Sequence, residues 1–119
     1  MADYISIANY NDDYSVMFEV EDDEILALGE RMNELCEDAY MNGYNWDALI
    51  SCYLNENAPE LLDGLDPDPE AGSYCAHYSG TEDNKGRAER LAELITALVE
   101  DEERLFDFLR THADIIEWD

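Results

Sequence analysis

Basic residues are nearly missing from this chain. Six Lys and Arg stand against 31 Asp and Glu in 119 residues, a formal net charge of −25. That shortage argues against direct binding to DNA or RNA, whose phosphates such a surface repels, and against adsorption to anionic lipid. Cysteine is scarce and odd in number, with Cys36, Cys52 and Cys75 at spacings that match no disulfide framework. Reduced thiols in the cytoplasm are the simplest reading. No run approaches the roughly 18 apolar residues of a membrane span. Met1-Ala2-Asp3-Tyr4 does not begin a basic-then-apolar leader. With only three prolines and six glycines, no linker is long enough to divide the chain, so residues 1–119 are read as one domain. Gly72, Gly80 and Gly86 do not take the spacing of a phosphate-cradling loop.

What is present is a globular body. Hydrophobic residues make up 46% of the chain, including 8 Tyr, 3 Phe and 2 Trp, the residues a disordered acidic tail lacks. Area scaling at this mass gives roughly 6,500 Å² exposed when folded against roughly 20,000 Å² for the extended chain, enough to bury a core.

Residues 4–10 and 14–20 alternate, with turn formers Asn11, Asp12 and Asp13 between them, and predict a β-hairpin. The acids Glu21 to Glu24 suit a helix start. Ile25, Leu28, Met32, Leu35, Cys36 and Ala39 continue that helix to a stop at Gly43. Asn45 is the expected cap of a second helix carrying Trp46, Leu49, Ile50, Tyr53 and Leu54, and Pro59 opens a short third turn that Gly64 ends. Residues 63–72 read as a loop and Ser73 to Tyr78 as a third strand. A long helix follows from about Asp83, and Asp101 caps a final one. The apolar tail Ile115-Ile116-Glu117-Trp118-Asp119 is expected to pack back as a strand or extended segment. The order predicts an α+β domain, a small and mainly antiparallel sheet packed against four or five helices.

Self-repulsion at this charge works against folding and exceeds the net charge of about 2 to 8 that solubility needs. A basic partner is therefore implied. Residues 1–84 hold 21 acids and one base, Arg31, so the partner-facing surface should lie mostly there. The candidate binding residues are Asp12 and Asp13 in the hairpin turn, Glu21, Asp22, Asp23 and Glu24, and the loop acids Asp63, Asp66, Asp68 and Glu70. Solvated charge on ordinary loops is the competing reading. Arg90 is expected to pair with Glu93 one helical turn on.

Residues 66–70 alternate acids as a calcium loop does. The sixth position holds Ala71 where the EF-hand needs Gly, and the twelfth holds His77 where it needs Glu. Cys75 and His77 share a strand face, but two ligands fall short of a structural zinc site. Nothing marks an oxyanion hole or orienting acid for a Cys75–His77 nucleophile pair. No metal, cofactor or catalytic residue is assigned. The tyrosines default to core packing, and any left exposed beside carboxylates would make interface anchors.

Trp46-Asp47-Ala48-Leu49-Ile50 followed by Tyr53-Leu54, then Pro59-Glu60-Leu61, Asp68-Pro69-Glu70-Ala71-Gly72-Ser73-Tyr74 and the Leu91-Ala92-Glu93-Leu94-Ile95 helix with Leu105 beyond it resemble the Immunity protein 51 family over roughly residues 40–110. The resemblance implies a cytosolic antitoxin that binds and blocks a cognate toxin domain without catalysis. Combined with the charge, it points to a basic toxin, a nuclease above others. An acidic mimic of nucleic acid that inhibits DNA-binding proteins is the alternative, and a metal-dependent enzyme comes third.

Overall fold

The computed structural model describes residues 4–10, 13–80, 82–116 and 118. The alternating stretches form β1 (Ile5–Tyr10), β2 (Asp13–Glu19) and β4 (Ser73–Tyr78), and a two-residue β3 (Asp66–Pro67) is added at the edge. Four helices accompany them: α1 (Asp23–Leu35), α2 (Gly43–Asn57), α3 (Glu82–Glu100) and α4 (Glu102–His112). A 3-10 turn spans Pro59–Leu62. The sheet is antiparallel throughout, in the order β1-β2-β4-β3. The domain is α+β, and it exposes 6659 Å², close to the area expected from its mass.

Period-two alternation decides the layers. Val16 and Phe18 on β2, and Tyr74, Ala76 and Tyr78 on β4, are buried under the helices. Ser73, Cys75 and His77 alternate with them and face the other way, only half-buried. Phe18 packs edge-on against Tyr4 and Trp46, with ring centroids 6.0 Å and 5.0 Å apart. Each such pair adds about 0.5–1.5 kcal/mol beyond burial. Ala88, Leu91, Ala92, Ile95 and Leu98 give α3 the stripe that covers the sheet.

Several boundaries differ from the sequence reading. α1 stops at Leu35, and Cys36 takes an extended conformation. Asn33 Nδ2 lies 3.1–3.4 Å from the carbonyl oxygens of Cys36, Glu37 and Ala39, so the side chain holds a loop where the apolar spacing suggested helix. Ala39 is still buried, while Leu35 is exposed. Gly43 starts α2 rather than ending α1, and the cap is Asn42, whose Oδ1 accepts the Asn45 N–H at 2.9 Å. Arg90 bonds Glu60 at 2.8 Å, not Glu93. In the tail, Ile115 and Ile116 bond back to the His112 carbonyl as turns rather than as a strand, and Ile116 is buried, while Glu117 and Asp119 lie outside the described residues.

Gly43 is required by close approach. A Cβ there would overlap the carbonyl oxygens of Glu70 and Ser73, whereas one at Gly86 in α3 meets nothing within 4 Å. Gly43→Ala should therefore lower stability by about 2 kcal/mol, and Gly86→Ala should raise it by about 0.5–1 kcal/mol. Urea unfolding of the two variants checks the opposite signs. Tyr78 donates its hydroxyl to the Leu61 carbonyl at 2.6 Å, and burial pushes its pKa up to about 12 against the partial opposition of Arg87 and Arg90. Because the folded value lies above the unfolded value of 10.0, stability should fall as pH rises from 10 to 12. Tyr78→Phe should lessen that decline in alkaline thermal melts without abolishing it, because burial also raises the Tyr74 and Tyr4 hydroxyls.

Candidate functional site

The sheet has one face free of helices, and its register defines what stands there. Ala8, Ser15, His77 and Asp66 form one cross-strand row, and Ser6, Met17 and Cys75 form the next. The Asp68 N–H donates to the Cys75 carbonyl at 2.6 Å, which extends the second row by an acid. Glu70 bridges Ser73, which lies opposite Glu19. Gly72 sits directly against the Glu21 carboxylate, which would have to shift to admit a Cβ there. Asp66, Asp68, Glu70, Glu19 and Glu21 thus follow one another as a strip beside Ser6, Ala8, Ser15, Met17, Cys75 and His77. Among the described residues, no Lys or Arg is paired with any of the five. Pro67 and Pro69 occupy the alternate positions of the edge, where a missing N–H costs no ladder bond.

The other predicted acids go elsewhere. Asp13 is exposed at the opposite end of β2, about 20 Å away by strand rise. Asp12 lies outside the described residues. Asp22 caps α1, its Oδ1 accepting the Glu24 N–H at 3.0 Å, and Asp23 is exposed in the first turn. Glu24 lines a separate groove with Tyr4, Arg31 and Glu100. Asp63 is 3.6 Å from Arg87. Glu19 is absent from the sequence reading because its role comes only from strand register.

His77 stands in the middle of the open face. Its Nδ1 is 2.7 Å from Ser15 Oγ, and its Nε2 is 3.6 Å from Cys75 Sγ and 3.8 Å from Asp68 Oδ2. This resembles a nucleophile set only in composition. Burial, with Asp68 and Glu70 beside it, pushes the Cys75 thiol up from its ordinary range, the reverse of what an attacking thiolate needs. Among the described residues, no three His, Cys, Asp or Glu side chains are placed to hold a metal ion. None of the described helices is long and apolar enough to cross a membrane.

The α1–α2 loop lies at the Glu21–Glu70 end of the strip, where the Gly43 N–H donates to the Ala71 carbonyl at 3.0 Å. Met41 has φ 54, a left-handed conformation that costs a residue with a side chain roughly 1–2 kcal/mol. Three contacts hold it there. Its side chain is buried, its N–H donates to Asn45 Oδ1 at 3.0 Å, and its Cβ would be only 3.1 Å from a Cβ placed on Gly29. The preceding residue, Tyr40, is turned out and is 72% exposed, the most exposed large hydrophobic side chain among the described residues.

The raised Cys75 pKa gives a chemical check. At pH 8 the folded protein should alkylate Cys75 with iodoacetamide more slowly than the urea-unfolded chain does, with the rates read by peptide mass spectrometry. Equal rates would mean that the site activates the thiol after all.

No curated protein and no solved structure matches the chain. A family model does match, over residues 5–114, and so takes in the hairpin, the acidic strip and all four helices. By that match across nearly its whole length, the chain belongs to the family described as Immunity protein 51.

Proposed function

We propose that this protein neutralises a cognate basic toxin domain, a nuclease foremost, by one-to-one binding in the cytoplasm. Membership of an immunity-protein family makes toxin neutralisation the class of function. The observation that carries the finer reading is the strip of five carboxylates that has, among the described residues, no Lys or Arg partner, set beside a sheet face that carries no Lys or Arg among its described positions. A low-charge centre with a charged rim is the anatomy of a protein interface. A nuclease must hold phosphates with cationic side chains, so an acidic protein can occupy the same surface. Three free cysteines suit a reducing compartment.

Binding of this kind is steered by charge, with association reaching about 10⁸ M⁻¹s⁻¹ at low salt and falling steeply as salt screens it. The test is association kinetics with the toxin domain encoded beside this protein's gene, across a salt series. Asp66→Lys combined with Asp68→Lys should slow association about tenfold at low salt and leave dissociation nearly unchanged. Association indifferent to both salt and charge reversal would remove the strip from the interface. Comparable inhibition of several unrelated DNA-binding proteins would favour a nucleic-acid mimic instead.

A further inference from the structure

The acidic strip explains how a basic partner is drawn in, but carboxylates on a wet surface supply little of the energy that keeps it bound. Retention comes from a few apolar or aromatic anchors that become fully dry. Among the described side chains, the open sheet face offers mostly small groups for this, with Met17 the one large apolar group. The better anchor is at the end of the strip.

Tyr40 projects from the α1–α2 loop beside a groove lined by Leu26, Gly29, Glu30, Asn33 and Met41. Leu26 is 47% exposed. Gly29, Glu30 and Asn33 lie three, four and seven residues beyond it, so the four make one stripe of α1. An exposed tyrosine on a mobile loop would lose much of its contact energy in being ordered. This one is already ordered. Asn33 Nδ2 faces the carbonyls of Cys36, Glu37 and Ala39 ahead of Tyr40, and Asn45 and Gly29 fix Met41 immediately after it.

We propose that Tyr40, with Leu26 beside it, is the principal anchor of the toxin interface, and that it inserts into an apolar cleft bordered by Lys or Arg on the partner. The occupant follows from charge. Residues 30–38 carry Glu30, Glu34, Glu37 and Asp38 against Arg31 alone, and Arg31 is engaged by Glu102 on α4. A neutral or acidic surface would meet uncompensated carboxylates on approaching Tyr40. A basic one would pair with them while the ring and Leu26 are buried. The same end of the molecule carries Glu21 and Glu70, so the anchor is continuous with the strip that steers. Asn33 acts as a positioning residue, since it touches the loop and not the partner's cleft.

This proposal rests on the reading of the protein as a binder of a basic toxin, and its test separates the two. The probe is the toxin domain encoded beside the gene, titrated against wild type, Tyr40→Ala, Leu26→Ala, Asn33→Ala and the Asp66→Lys, Asp68→Lys pair. Tyr40→Ala should raise Kd at least about thirty-fold through faster dissociation, with association unchanged. Its thermal midpoint should match wild type, because the removed ring is exposed. Leu26→Ala should act in the same direction and less strongly. Asn33→Ala should weaken binding although Tyr40 is intact, and Tyr40→Phe should restore most of the affinity lost in the alanine variant. If the charge reversals slow association while Tyr40→Ala binds as tightly as wild type, the anchor is wrong and the steering surface stands. If wild type forms no complex, both fall.

Discussion

Gly43 has no side chain, and the β3–β4 turn fills the space one would need, with the carbonyls of Glu70 and Ser73 against its α-carbon and its N–H bonded to Ala71. That contact clamps the first turn of α2 onto the end of the sheet. Three residues on, Trp46 reaches Phe18 and enters the core. Upstream, Asn42 closes the helix start and Met41 is held in a left-handed conformation. The loop before α2 is therefore delivered beside the turn that carries Glu70 and the Glu21 carboxylate. Helix layer, acidic strip and exposed tyrosine share one end of the molecule because a helix meets a turn there at backbone distance.

The fold tolerates its charge by keeping carboxylates off the core and using its few bases across element boundaries. Arg31 ties α1 to Glu102 at the start of α4, Arg87 ties α3 to Asp63, and Arg90 ties α3 to Glu60 on the 3-10 turn. The Arg90 hydrogen bond holds the Glu60 carboxyl below its ordinary range. Pairs this exposed are screened by solvent and contribute little, so the apolar core must supply the stability. Fully buried Trp46, Tyr74, Tyr78 and Phe18 do so. Three of the six bases are spent on internal ties, and among the described residues no Lys or Arg is paired with the strip. Stability thus rests on apolar residues rather than on the carboxylates, which lets a charged surface persist on a stable body.

Much of the fold was legible in the residues. Alternation located β2 and β4, and helical stripes located α3 and α4 with Asp101 as a cap, its Oδ1 accepting the Arg104 N–H. The misreadings share a cause. α1 was extended through Cys36 and Ala39 because apolar spacing continued, while the side chain of Asn33 captured the backbone for a loop. Asn45 read as a cap, but its side chain serves Met41 from inside the helix. β3 was read as loop because two prolines and alternating acids carry no strand propensity, and only pairing with β4 makes it an edge. Local preference and tertiary hydrogen bonding competed at these points, and tertiary bonding won.

The acidic residues themselves show the same division. Composition alone determined that the chain is strongly acidic and carries enough apolar residues for a core, because charge and apolar content are sums that do not depend on arrangement. Which carboxylates act together was decided only by the tertiary structure. Asp22 became a cap and Asp63 an ion-pair partner, while Glu19, unmarked in the chain, joined Glu21 and Glu70 through strand register. Electrostatic and contact energies depend on distance in space: the β4 register sets Glu19 opposite Ser73, beside Glu70, and the Gly43 clamp brings the loop that carries Tyr40 to the same end of the molecule.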